Sequence, residues 1–184
     1  MNYFERHALL ASLINQMQDN KSWTGRTHIQ KSVYFLQNLL NVPLKLPFLL
    51  YKYGPYSFEL DAELQEMYNY GALQFDSIPS TYGSGYMLGP SSKDLLKRFG
   101  KYVKKHKNEI NFVASKISPR GIFELERLGT AMYVSTTPEE VKWNKTKKQR
   151  IKRICQLKPH LKSNEVQEAL DEFEEIRKEW KNLR

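Results

Sequence analysis

Few residues of this chain have types and spacings suited to covalent chemistry. Cys155 is the one cysteine, so an internal disulfide is excluded, and four scattered histidines give no zinc-ligand spacing with it. His28 has the Ser32 hydroxyl one turn further on, but the chain carries no G-x-S-x-G elbow, no H-E-x-x-H and no phosphate loop. Gly83-Ser84-Gly85 is too short to cradle a phosphate, and the carboxylates do not assemble into a metal-binding set. These residues point to a non-enzymatic protein with no cofactor and no metal.

Recognition chemistry is better represented. Glu59, Glu63 and Glu66 fall at i, i+4 and i+7, joined by Asp61 and by no Lys or Arg. Such a helix is repelled by DNA, which is bound by neutralising phosphates, so it reads as a solvated acidic face or as a docking face for a basic partner protein. Tyr51, Tyr53 and Tyr56 surround Gly54-Pro55, either packing to fix the turn or offering a recognition surface, since Tyr gives large contact area at low entropic cost. Two basic segments stand out. One side of a helix from residue 91 carries Lys93, Lys97, Lys101, Lys104 and Lys105. Between 142 and 162 lie Lys142, Lys145, Lys147, Lys148, Arg150, Lys152, Arg153, Lys158 and Lys162 with no acid among them. Lys97, Lys101, Lys104, Lys145, Lys147, Lys148, Arg150 and Arg153 are the candidate nucleic-acid contacts, against a solvated face or an acidic protein partner. Residues 163–184 reverse the sign, which also permits the two segments to pair with each other. Trp143, between Lys142 and Lys145, suits base stacking, although a lone tryptophan near a helix start more often anchors a core.

The elements that must position these groups follow from the apolar spacing. A helix over 3–18 carries Leu10, Leu13, Ile14 and Met17; one over 27–40, capped by Thr27, carries Ile29, Val33, Leu36 and Leu40. The apolar run 48–53 predicts a buried strand ended by Gly54-Pro55. Ser57 then caps a helix to 71 with Leu60, Leu64 and Met67 as its stripe. Residues 72–88 predict a hairpin with a long tip at Pro79, Gly83 and Gly85. Leu95, Leu96, Phe99 and Val103 line a helix from 91; Ile110, Val113 and Ile117 extend that side, and Ile122, Leu125, Leu128 and Met132 mark another. Thr137-Pro138-Glu139-Glu140 opens a helix with the Thr137 hydroxyl as cap, and Val166, Leu170, Phe173, Ile176 and Trp180 stripe the last one. The fold class is α+β, mainly α: a winged-helix-like helical core with a β-hairpin over 1–135, and a basic-then-acidic helical extension over 136–184. With 184 residues, a net charge of +9, 40% hydrophobic residues and no run of eighteen apolar ones, the chain reads as a folded cytoplasmic protein without a membrane span.

His-Ile-Gln-Lys-Ser-Val-Tyr-Phe-Leu at 28–36, followed about twenty residues later by Tyr-Lys-Tyr-Gly-Pro-Tyr-Ser at 51–57, resembles the SocA-type antitoxin family, also called the Panacea domain, with its YwgA-like and phage-associated relatives. That family has a Lys-Leu-Gln-Lys-Leu-like helix opening and an aromatic-x-x-Gly-Pro turn before the next helix. His28 and Ile29 stand where the family usually has Lys and Leu, and the resemblance covers roughly the first half of the chain. It implies an antitoxin-like regulator that neutralises or presents a protein partner, such as a toxin encoded beside it; the candidate partner contacts, read from their own residue types, are Tyr51, Tyr53, Tyr56, Glu59, Glu63 and Glu66. The residues leave open the alternative of a winged-helix-like transcriptional regulator that binds DNA through its Lys and Arg surfaces.

Overall fold

A computed structural model describes residues 1–76 and 83–183. The protein is mainly helical, with nine helices and two small hairpins among the described residues. Contacts divide it into two units, residues 1–48 with 56–120 and residues 49–55 with 121–184. The sequence had placed the division at 135/136; contacts place it at 120/121, and they give the short segment 49–55 to the second unit.

In the first unit, α1 (Tyr3–Asp19) begins at a capping box in which Asn2 accepts the Glu5 amide at 2.9 Å and Glu5 accepts the Asn2 amide at 2.6 Å. Its buried face holds Leu9, Leu10, Leu13, Ile14 and Met17. α2 (Arg26–Asn38) starts at Gly25 rather than at the expected Thr27 cap, and no side chain caps it. Trp23 covers this entry so closely that a Cβ on Gly25 would lie 2.1 Å from the indole nitrogen. Every residue of α2 from His28 to Leu36 is buried, which makes it the central helix of the unit. Polar side chains inside must then find partners, and they do: Ser32 meets the Ser118 hydroxyl at 2.8 Å, and Gln30 donates to the Ser57 carbonyl and accepts the Ser57 amide, both at 2.8 Å.

Between α2 and residue 48 the chain is irregular, with Asn41 and Lys45 at positive φ, Val42, Leu44 and Leu46 buried and Asn41, Pro43, Lys45 and Pro47 exposed. Side chains do here what a neighbouring strand does elsewhere. Gln37 bonds both the carbonyl and the amide of Leu46, at 2.9 and 2.8 Å, and Arg6 donates to the Leu44 carbonyl at 2.8 Å.

The expected buried strand over 48–53 is instead a two-stranded ribbon. β1 (Leu49–Tyr51) turns at Lys52-Tyr53 into β2 (Gly54–Tyr56), and Leu49 and Tyr51 are exposed. Gly54 takes φ 88°, the left-handed conformation that a three-residue bulged turn requires, so Gly-Pro continues the ribbon rather than ending it. α3 (Phe58–Asn69) follows, capped by the Ser57 hydroxyl on the Leu60 amide at 3.2 Å as expected, with Leu60, Leu64 and Met67 fully buried. β3 (Leu73–Phe75) pairs antiparallel with β4 (Tyr86–Leu88) in the register Leu73↔Leu88, Phe75↔Tyr86. This is the expected hairpin; of its long tip, Pro79 lies outside the described residues. Gly89 lets the returning chain pass the end of α3, where a Cβ would lie 2.4 Å from the Gly71 carbonyl oxygen. α4 (Ser92–Lys105) and α5 (Lys107–Lys116) pack on α1, burying Leu95, Ile110 and Val113.

The second unit, besides residues 49–55, contains α6 (Ile122–Thr136), α7 (Pro138–Trp143), α8 (Lys147–Leu157) and α9 (Ser163–Asn182). α6 packs on the three others through Leu125, Leu128 and Met132, and α9 contributes the expected Val166, Leu170, Phe173, Ile176 and Trp180, all buried. Pro138 sits in the first turn of α7, but the Thr137 hydroxyl makes no capping bond, and α7 ends after six residues. The true capping box is one helix later, where Thr146 and Gln149 bond reciprocally at the start of α8. No helix among the described residues is long and apolar enough to cross a membrane.

Gln30 gives the first unit a direct test. Gln30→Leu leaves the buried Ser57 amide and carbonyl without partners, at about 1–3 kcal/mol each. Urea unfolding should show a loss of roughly 2–5 kcal/mol, well above that of Gln37→Leu, whose site is partly exposed.

Candidate functional site

The acidic helix is a solvated face only in part: Glu59 and Glu66 are exposed, but Glu63 is not. Glu63 is buried, because its carboxylate turns back onto Arg6 of α1: Nε donates at 2.9 Å and Nη2 to the other oxygen. Arg6 Nη2 also donates to Glu59 at 3.1 Å, and the Tyr3 hydroxyl donates to Glu66. Spacing i, i+4, i+7 put the three glutamates on one stripe, correctly. What the spacing could not show is that this stripe faces α1, whose Tyr3, Arg6 and His7 recur at one-turn spacing opposite it. The signal was available in Arg6, a lone cation amid an apolar helix face.

His7 completes this network. Fully buried, it meets the Tyr70 hydroxyl through Nδ1 at 2.8 Å, and its Nε2 lies 3.7 Å from Glu63. Burial, outweighing the nearby Glu66 carboxylate, lowers its pKa to about 4. Burial likewise raises the Glu63 pKa, against the pull of Arg6. The arrangement joins α1 to α3.

The second unit presents a different kind of site. Lys158 is buried, and its ammonium donates to the Tyr51 carbonyl at 2.7 Å and to the Lys52 carbonyl while forming an ion pair with the buried Glu126 carboxylate of α6 at 3.2 Å. His160 Nε2 stands 3.2 Å from the same Glu126 oxygen. The β1–β2 turn is thereby fixed to α6. Beside it lies an open cleft of about 590 Å³, walled by Leu50, Tyr51, Tyr53, Phe123 and Leu157 with Lys158 at its base. Its aromatic rim is in water: Tyr51 is 53% exposed, Tyr53 50% and Phe123 74%. Phe123 was absent from the sequence-derived candidates, since as the second residue of an amphipathic helix it read as ordinary. Tyr56 belongs to the first unit, half-buried with its ring edge-on to Phe58 at 5.0 Å.

The basic candidates separate sharply. Lys147 pairs with Asp171 at 2.6 Å, Arg150 approaches Glu174 at 3.9 Å, and Arg153 grips Glu140 through two bonds of 2.8 and 2.7 Å. The basic segment and the acidic last helix thus pair with each other, one of the alternatives the charge reversal left open. Lys145 and Lys148 are exposed without an ion-pair partner among the described residues, as are Lys97, Lys101 and Lys104 on α4. Trp143 anchors no core; it is 72% exposed. No group of three or more His, Cys, Asp or Glu among the described residues is placed to hold a metal ion. No protein-family model matches the chain, and no curated protein does.

Two measurements test these networks. His7 titrates at about 4 in the fold and near 6.5 when unfolded, so the unfolded state binds the extra proton in between. Its contribution is intact above the unfolded value and is lost as pH falls toward 4; between pH 7 and 5 the loss should be about 2 kcal/mol in urea unfolding and should vanish in His7→Gln. Lys158→Met strands the buried Glu126 charge and should destabilise the second unit by about 3–5 kcal/mol, most of it restored when Glu126→Leu is added.

Proposed function

We propose that this chain is a non-enzymatic regulator that binds a protein partner, in the manner its resemblance to SocA-type antitoxins implies, and that the partner docks on Tyr51, Tyr53 and Phe123. The observation that carries the reading is the exposure of three aromatic rings around one cleft whose hairpin is held rigid from below by Lys158. Exposed aromatic side chains cost little conformational entropy when a partner covers them, and they dominate binding energy at interface centres. A turn already fixed in place avoids the further cost of ordering it on association. The cleft suits one or two apolar side chains of a partner segment inserted between the rings. The acidic helix α3, which its charge pattern had offered as a second contact surface, supports this reading less, because its Glu63 is occupied by Arg6.

The test uses the product of the adjacent gene. Co-expression should relieve any growth arrest it causes, and calorimetry should detect the complex. Tyr51→Ala, Tyr53→Ala and Phe123→Ala should each weaken binding about tenfold or more, with helical circular dichroism unchanged. Unaltered affinity in the triple variant would remove this surface from the interface, and absence of any complex with wild-type protein would remove the reading itself.

A further inference from the structure

Trp143 closes α7 with its ring in water, whereas Trp180 is buried in the same unit. The backbone on either side of that ring is held firmly. Glu140 accepts both the Asn144 amide, at 2.9 Å, and its side-chain nitrogen, at 2.8 Å, through its carbonyl; its carboxylate takes the two Arg153 bonds. Arg150 donates to the Asn144 carbonyl at 3.1 Å, and the Thr146–Gln149 box then starts α8. The fold therefore fixes where the indole stands without covering it.

The charges around it are sorted by side. Lys147, Arg150 and Arg153 turn inward to the carboxylates of α9 and α7. Lys142, Lys145, Lys148 and Lys152 point to solvent with no ion-pair partner among the described residues, and Lys148 and Lys152 lie one turn apart on α8. The Lys142 ammonium stands 5.2 Å from the centre of the Trp143 ring, so cations already gather at the indole.

We infer that Trp143 with Lys142, Lys145, Lys148 and Lys152 forms a binding site for single-stranded nucleic acid, the indole stacking a base and the four ammonium groups taking backbone phosphates. The ring decides the class of ligand. An acidic peptide would meet the lysines alone, whereas a nucleotide strand offers a flat base and anionic phosphates together. A duplex hides its base faces in the stack, so a ring fixed on an open surface reaches a base only in an unpaired strand. Among the described residues no lysine of α4 stands over an aromatic ring, so these lysines serve as the control.

Tryptophan fluorescence of the full chain, titrated with oligothymidylate and with the same strand in a duplex, tests this directly. The single strand should quench emission; Trp143→Phe should abolish the quenching, and Trp143→Ala should weaken binding about tenfold. Changing the four lysines to Gln should flatten the log–log salt dependence by about 3, four contacts at about 0.7 each. Lys97→Gln with Lys101→Gln and Lys104→Gln should leave the quenching unchanged. Equal binding of duplex without quenching, the same quenching by polyglutamate, or no binding at about 50 mM salt would overturn the assignment.

Discussion

One side-chain amide sets the arrangement of the first unit. Gln30 sits in the most buried helix of the chain and offers its two polar ends to both backbone groups of Ser57. Ser57 is thereby fully satisfied, and its hydroxyl is left to cap α3. That pair of bonds ties α2 to the residue that starts α3, whose Leu60, Leu64 and Met67 lie in the core. Gln37 repeats the device one turn-pair later on Leu46. The irregular segment after α2 thus needs no neighbouring strand, since amide side chains and Arg6 supply what a ladder otherwise would. Gln30 and Ser57 lie in the stretches 28–36 and 51–57, so the pair of bonds links these two segments.

Charge is used in two ways. Where a carboxylate and a cation meet inside a unit, as Arg6 meets Glu63 or Lys158 meets Glu126, the carboxylate is buried and the cation also bonds backbone carbonyls, which helps to make a buried charge tolerable. Where cations are left over, they collect on one side of a helix. α8 shows both on the same eleven residues: its inward Lys and Arg are neutralised by α7 and α9, and its outward ones are not. Counting charge along the sequence cannot separate these, because both sets recur within single turns.

Apolar spacing made most of the helices and the β3–β4 hairpin legible, since Leu60, Leu64 and Met67, or Val166 through Trp180, repeat at the period of a helix and each repeat must be covered. Helix starts were legible only where the side chain itself does the capping: Ser57 was read correctly, but Gly25 and Thr137 were decided by what packs around them. The 48–53 run failed because an apolar stretch looks the same whether two faces are covered or one. Glu63 failed because burial of a carboxylate depends on Arg6, fifty-seven residues earlier. The candidate cleft was half visible: its tyrosines stood out around Gly-Pro, but Phe123 and Lys158 come from elements far along the chain and join the tyrosines only by folding.

The tie between Lys158 and the Tyr51 carbonyl spans 107 residues, and the hairpin it holds is embedded in the sequence of the other unit. During synthesis, therefore, residues 49–55 emerge with the first unit but have no partner until α6 and then Lys158 leave the ribosome. At 5–20 residues per second that interval lasts roughly 5–20 s. The first unit has its own residues complete before this, at position 120, so it can reach its folded state around a loop that is still unanchored. The aromatic surface consequently takes shape only after the residues of the first unit are complete, and a chain truncated before Lys158 would lack the tie that fixes the hairpin.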